Sequence, residues 1–188
     1  MAFDRISDSV WFIHGEGFDS NSILVKSDIV FLVDPGTGLN SAALKKDIAA
    51  IGHEPQAIVN THCHFDHVGG NAAFNIPVYI HEKDLPYLAA GDAEHCASSF
   101  FGRSLPKTKP FPLLREFHGW RVIHTPGHTE GSVCLLRDGV LITGDTLFAD
   151  GFGRTDLPGG NAAALRASLK KINGLDYEVA LPGHGPKF

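Results

Sequence analysis

Short apolar runs separated by glycine, proline and acidic turns recur along the chain and predict an alternation of strands and helices. Residues 10–13 are expected to form a strand, and residues 22–26 and 29–33 a hairpin that turns at Ser27 and Asp28. The second hairpin strand is apolar throughout, which is typical of a strand buried on both faces. It ends in an acidic turn at Asp34.

A helix is predicted after this hairpin, because apolar residues recur at helical spacing from Leu44 to Ile51 and because Asn40 or Ser41 can cap its first turn. Residues 57–60 then predict a short buried strand.

Three further segments complete the first part of the chain. Residues 77–80 predict a strand, and residues 82–90 a helix that Pro86 starts or breaks. Residues 91–117 contain several prolines and show no regular period, so they predict an irregular excursion. Long loops within domains tend to be functional, and we expect this one to form part of a substrate wall.

The same order of elements returns near the end of the chain. A strand is predicted at residues 121–124, a second hairpin at 132–136 and 140–143, a helix at 161–172 and a last strand at 179–181. Because Ser22–Pro35 aligns with Ser132–Asp145 without a gap, we expect one domain (1–188) of two similar halves, roughly 1–90 and 118–188. The predicted fold class is α/β, a four-layer αβ/βα sandwich in which two sheets face each other under outer helices.

Composition and charge narrow the functions that this domain can have. The net charge is −5 and the basic residues are scattered, which argues against a nucleic-acid interface. No apolar run is long enough to span a bilayer, and no signal peptide is apparent. Three widely spaced cysteines form no disulfide framework, so a cytoplasmic location without a membrane partner is expected.

Histidine and aspartate are concentrated in one segment, Thr61–His67, with the sequence T-H-C-H-F-D-H. Buried imidazoles and carboxylates need partners, and four such groups in six residues satisfy one another poorly. Neutral histidine nitrogens and aspartate oxygens are good ligands for zinc and similar metals, so this spacing predicts a metal site. The four candidate ligands are His62, His64, Asp66 and His67.

Three further candidate ligands follow predicted strands elsewhere: His128, Asp145 and His184. Each stands next to a glycine, in P-G-H, T-G-D and P-G-H turns, and glycine allows the backbone to turn sharply near an ion. Loops at strand ends are the usual place for sites on α/β scaffolds, so we expect these residues to meet the cluster.

These motifs and their order resemble those of metallo-β-lactamase-fold hydrolases. The run F-G-R-T-D-L-P-G-G at residues 152–160 makes the chain most similar to the short glyoxalase II-like thioester hydrolases, although related persulfide dioxygenases share G-R-T-D. Longer glyoxalase II enzymes bind glutathione through a helical domain after the last ligand histidine, whereas this sequence ends four residues after His184. The acyl group and the thiol carrier are therefore left open.

The resemblance implies a dinuclear hydrolase that cleaves a small-molecule thioester with a hydroxide bridging two divalent ions. Zinc is the expected metal, and iron or manganese would suit the same ligands. Asp145 would bridge both ions, and Asp66 would also orient the hydroxide. The ligands implied for the first ion are His62, His64 and His128, and those for the second are Asp66, His67 and His184.

Two other residues have competing interpretations. Asp34 is either a turn residue before Pro35 or an acceptor that orients a ligand histidine such as His67, and the second reading is preferred. Arg154 could pair with Asp156 at the surface or bind a substrate carboxylate, which the fork of its guanidinium group suits.

Three alternative functions are compatible with the sequence. A mononuclear iron persulfide dioxygenase would use only His62, His128 and Asp145, a 2-His-1-carboxylate set. A lactone, β-lactam or phosphodiester could replace the thioester on the same fold. The third alternative is a non-catalytic metal-binding scaffold, against which the complete ligand set argues. The sequence does not indicate an oligomeric state.

Overall fold

Two mixed β-sheets and four α-helices make up the computed structural model, which describes residues 3–188. Met1 and Ala2, included in the predicted domain 1–188, lie outside the described residues. The strands are β1 Phe3–Arg5, β2 Val10–Ile13, β3 Ser22–Lys26, β4 Val30–Val33, β5 Ala57–Val59, β6 Val78–Ile80, β7 Phe111–Pro112, β8 Glu116–Phe117, β9 Trp120–His124, β10 Val133–Arg137, β11 Val140–Gly144 and β12 Val179–Pro182. The helices are α1 Ser41–Ile51, α2 Phe65–Val68, α3 Leu85–Ala90 and α4 Ala162–Ile172, with short 3₁₀ helices at Asn71–Ala73 and Ser98–Phe101.

The sheets repeat one topology. The first has the order β1 to β7, antiparallel from β1 to β4 and parallel from β4 to β7. The second has the order β12-β11-β10-β9-β8, in which only β11 and β12 are parallel. In each sheet a helix connects two adjacent parallel strands, α1 between β4 and β5 and α4 between β11 and β12.

The main core lies between the sheets, and the strand alternation explains it. In β4, Phe31 and Val33 pack into the core that both sheets share, while Leu32 faces the other way, against α1. The second sheet likewise packs Leu141 against Ile172 of α4. Because β4 has apolar neighbours on both faces, it has no polar position. The predicted four-layer αβ/βα class is confirmed.

The predicted elements mostly form, with differences in short segments. The helix predicted at 82–90 begins only at Leu85, and the excursion 91–117 contains a 3₁₀ helix, β7 and β8. Helix α2 and strand β1 were not predicted from the sequence, because each is at most four residues long and shows no usable period. Among residues 3–188, no helix is both long and apolar enough to cross a membrane.

This topology positions a site at one edge. Strands β4, β5, β11 and β12 each run parallel to a neighbour, so their carboxyl ends leave the sheets where functional loops usually lie. Bonds between backbone groups join the halves at that edge: the Val133 N–H donates to the Thr61 carbonyl (2.9 Å), and the Asn21 N–H donates to the Gly183 carbonyl (2.7 Å).

Candidate metal centre

The segment after β5 changes backbone conformation within the ligand motif. His64 is extended (φ −65°, ψ 146°), and α2 begins at the next residue. The change from an extended to a helical backbone divides the four motif ligands into two pairs. His62 and His64 precede the helix, and Asp66 and His67 belong to it.

All seven predicted ligands meet in one cluster. They form two groups, which we name the first trio (His62, His64 and His128) and the second trio (Asp66, His67 and His184). Within each trio the ligand atoms lie within 4.8 Å of one another. The same holds for His62, His67 and Asp145, a third group that joins the two trios.

Asp145 lies between the two trios. One of its oxygens, Oδ1, is 3.2 Å from His67 Nε2, while Oδ2 is 3.5 Å from His128 Nε2 and 3.7 Å from His184 Nε2. Burial opposes its ionisation, but the neighbouring histidines, His67 foremost, hold the pKa of Asp145 below its ordinary value. The carboxylate is therefore ionised at neutral pH and can face two cations at once.

The cluster contains buried polar atoms without a hydrogen-bond partner, among them Nε2 of His62 and His67, and Oδ1 of Asp145. Unpartnered buried groups of this kind cost about 1–3 kcal/mol each, and a bound cation removes that cost. In the first trio, His64 Nδ1 lies 2.8 Å from His128 Nε2. Two ring nitrogens that face each other across this distance suit a shared metal ion.

The protonation of the histidines also fits metal ligation. Burial, and then the charge of His128, lowers the pKa of His64 to about 3, so its ring is neutral at pH 7. Burial, and then His67, lowers the pKa of His62 well below its ordinary value. Burial acts in the same direction on His67, but Asp145 and Asp34 outweigh it and raise its pKa. The carboxylates near the second trio would equally stabilise a divalent cation.

Each of three histidines is held from behind by an oxygen on its Nδ1. His67 Nδ1 donates to Asp34 Oδ2 (2.9 Å), and His128 Nδ1 donates to the Arg154 carbonyl (2.7 Å). His62 Nδ1 lies 3.1 Å from the Thr61 hydroxyl. With the proton on Nδ1, the lone pair on Nε2 is available to a metal, which is the usual way in which proteins orient ligand histidines.

Asp34 leaves β4 in the left-handed region (φ 51°) and is buried. Besides His67, it accepts hydrogen bonds from the Thr61 backbone N–H (2.9 Å) and the Thr61 hydroxyl (2.6 Å). The structure thus places Asp34 behind His67, a ligand of the second trio. It also places Asp34 behind Thr61, whose hydroxyl lies beside His62 Nδ1.

Arg154 contributes to the site through its backbone carbonyl. Its guanidinium group forms two bonds of 2.7 Å with Asp156, and both side chains are exposed. The pairing with Asp156 is the simpler of the two sequence-based interpretations. The adjacent Gly153 is tightly confined, because a Cβ atom there would lie 2.0 Å from the Asp145 carbonyl oxygen and 2.9 Å from His128 Nδ1.

Asp84 is a buried residue just before α3 that no sequence motif marks as part of the site. Asp84 accepts hydrogen bonds from the Cys63 N–H (3.0 Å), the Thr129 hydroxyl (2.7 Å) and the Gly131 N–H (2.6 Å). Its carboxylate thus ties the segment of His62 and His64 to the loop of His128. In the sequence, it looks like an ordinary helix-capping residue, and only the meeting of the two loops shows its role.

Known proteins of one superfamily are similar to this chain over most of its length. The model of the Metallo-beta-lactamase superfamily matches residues 15–184. A probable metallo-hydrolase of Methanocaldococcus jannaschii is 38% identical over 188 residues, covering 92% of this chain and 91% of that protein. The probable metallo-hydrolase YqgX of Bacillus subtilis is 34% identical over 180 residues, covering 87% of this chain and 83% of its own.

Solved structures agree with these matches. The crystal structure of TTHA1623 in a di-iron-bound form superposes with a TM-score of 0.83 at 35% identity, covering 94% of this chain and 93% of that one. The crystal structure of the BLEG-1 B3 metallo-beta-lactamase superposes with a TM-score of 0.80 at 32% identity, covering 95% and 93%.

Proposed function

The chain belongs to the metallo-beta-lactamase superfamily, and we propose that it is a two-ion metallo-hydrolase whose substrate is a thioester. One observation carries the two-ion part: both oxygens of Asp145 face histidine nitrogens, Oδ1 toward the second trio and Oδ2 toward both trios. The first trio would hold one ion and the second trio the other, with Asp145 shared between them. The solved neighbour with two bound irons supports this stoichiometry, and zinc and iron both remain candidates.

When bound, such a pair of ions supplies a nucleophile at neutral pH by lowering the pKa of coordinated water, and a Lewis acid for the carbonyl oxygen. The chain's own residues provide orientation. Burial works against ionisation of Asp66, but His67 and His184 hold its pKa below the ordinary value, so it is a carboxylate at pH 7. It can accept a hydrogen bond from the attacking water while Asp34 keeps the ring of His67 fixed.

The thioester part of the proposal rests on the resemblance to glyoxalase II-like enzymes and on the leaving group. A thiolate leaves without first taking a proton, whereas an amine needs a general acid. In this proposal, the titratable side chains of the cluster all serve as metal ligands or as supports for them, so none of them is left to act as a general acid. A substrate whose leaving group is a stable anion suits such a centre.

A second candidate is hydrolysis of a β-lactam, which the similarity to the BLEG-1 B3 metallo-beta-lactamase favours. A mononuclear persulfide dioxygenase is less well supported. It would use His62, His128 and Asp145, and would leave the second trio, including the His67 ring that Asp34 fixes, without a function.

Metal content and a substrate panel test the proposal together. We expect about two ions per chain by element-resolved mass spectrometry on protein purified without added metal, and about one in His184→Gln. The matched control is His53→Gln, a histidine beside Trp11 and remote from the motifs, which should keep two ions. We also expect hydrolysis of thioesters in preference to lactones and β-lactams. One iron per chain, with oxygen uptake on glutathione persulfide, would overturn the proposal, and turnover of β-lactams alone would favour the second candidate.

A further inference from the structure

Exposed phenylalanines lie on two sides of the metal cluster. Phe18, Phe100 and Phe152 are 74%, 69% and 62% exposed, although large apolar side chains are normally covered. Together with Phe101 and Phe148 they form what we call the aromatic rim. Isolated exposed apolar residues need no explanation, but a group beside a candidate active site can mark a binding surface.

One side of the rim is built on the ligand motif itself. The ring of Phe101 lies 5.8 Å from that of Phe18 and 5.1 Å from that of Phe65, centroid to centroid. Phe65 stands between the ligands His64 and Asp66, and the Ser20 N–H donates to the Asp66 carbonyl (3.0 Å). Phe18 and Phe101 therefore belong to segments that touch the ligand segment directly.

The other side of the rim touches the remaining ligands. Phe148 packs edge-on against His184 at 6.3 Å, and Phe152 precedes Gly153, the residue pressed against His128. Phe100 extends across from the excursion 91–117, with its ring 6.0 Å from the guanidinium carbon of Arg154. Apolar groups thus approach the cluster from the first loop, from the excursion and from the segment after β11.

The charge of this surface disfavours a strongly anionic substrate arm. The guanidinium group of Arg154 contacts the rim at Phe100, and Asp156 forms two bonds with one side of that group. Because Asp156 already offsets the charge of this cation, Arg154 attracts a substrate carboxylate less strongly than an unpaired arginine would. An apolar arm meets exposed aromatic faces and displaces only water, which is favourable by about fourfold in affinity for each methylene fully buried.

We propose that the aromatic rim binds an apolar acyl arm of the substrate, so that the enzyme prefers thioesters of medium-chain aliphatic or aromatic acids to those of acetate. This inference rests on the proposed thioester hydrolysis. It identifies Phe18 and Phe100 as specificity-determining residues, because they are the most exposed members of the rim and lie in different segments of the chain.

The test compares acetyl, butanoyl and hexanoyl thioesters of one small neutral thiol, N-acetylcysteamine, using the metal-loaded enzyme. Hexanoyl has four more methylenes than acetyl, and partial burial of the arm should raise kcat/KM at least tenfold. The double variant Phe18→Ala/Phe100→Ala should lose most of this preference. The matched control is Leu114→Ala, which is 70% exposed in the loop between β7 and β8 and should keep the full preference.

The outcomes separate the two proposals. Robust hydrolysis with equal kcat/KM for all three acyl chains would overturn the rim inference and leave the thioesterase proposal standing. Loss of the chain-length preference in Leu114→Ala as well would also overturn it, because the effect would then not belong to the rim. No turnover of any thioester would overturn both. A preference that is present in the wild type and the control but absent in the double variant supports the inference.

Discussion

Replacement of Asp34 by asparagine should weaken the second metal site selectively. Asn has the same shape and tolerates the left-handed conformation that Asp34 adopts (φ 51°), so the backbone turn after β4 should survive. Each carboxylate oxygen of Asp34 accepts from a donor: Oδ2 from His67 Nδ1 and the Thr61 hydroxyl, and Oδ1 from the Thr61 N–H. In either orientation the amide NH₂ of Asn would face one of these donors.

The magnitude follows from the loss of charge behind His67. Removing the acceptor of a ligand histidine typically lowers metal affinity 10–100-fold, which corresponds to about 1.4–2.8 kcal/mol. The change should fall mainly on the second ion, because His67 belongs to the second trio. His62 in the first trio depends on Asp34 only through the Thr61 hydroxyl. Hydrolytic activity should recover when excess metal is added.

The assay is a competition titration of the metal-free protein against a chromophoric chelator, fitted with two binding steps. Asp138→Asn is a matched control, because it is the same substitution at a residue with the same left-handed conformation (φ 48°). The side chain of Asp138 is 86% exposed. This variant should bind both ions like the parent. An unchanged second step in Asp34→Asn would refute the reasoning, and an equal loss of both steps would show a general loss of structure.

Three further predictions test other parts of the structure. Asp84→Asn should lower the free energy of unfolding by about 2 kcal/mol in urea titrations, because it weakens charge-assisted bonds such as that from the Gly131 N–H, and an unchanged midpoint would contradict this. Burial, and then His124, lowers the pKa of His81 to about 4, so between pH 6.5 and about 4 the unfolded chain binds a proton that the folded chain does not, and stability falls as the pH falls. His81→Phe keeps a ring stacked on His124, and its melting temperature should therefore fall less than that of the parent between pH 7 and 4.5. An equal fall in both proteins would contradict this prediction. Burial raises the pKa of Cys134 to about 11, and all three cysteines are buried, so a thiol reagent at pH 8 should label them only after denaturation, and rapid labelling of the native protein would be inconsistent with the fold.

The sequence predicted the main elements because their period is a local property. Strands such as β3 and β4 and helices such as α1 carry enough apolar positions to fix their type and the face they bury. The shortest elements could not be found this way. Strands β7 and β8 have two residues each and exist because a neighbouring strand offers them hydrogen-bond partners.

The metal-binding residue types of the candidate site could also be predicted from the sequence. The seven candidate ligands stand in a dense motif or in glycine turns at strand ends, and parallel pairing of β4 with β5 and of β11 with β12 brings those ends to one edge. Residue type and position relative to the strands determine which atoms could bind a metal. That part of the prediction needed only local pattern and the geometry of parallel sheets.

Only the tertiary structure decided how these groups are supported. It placed the Arg154 carbonyl behind His128 and joined two ligand loops through Asp84. It also set Phe100 of the excursion beside Arg154. These contacts join residues distant in sequence, the hydrogen bonds among them at about 3 Å, and their geometry depends on how the two sheets pack, which no local pattern encodes.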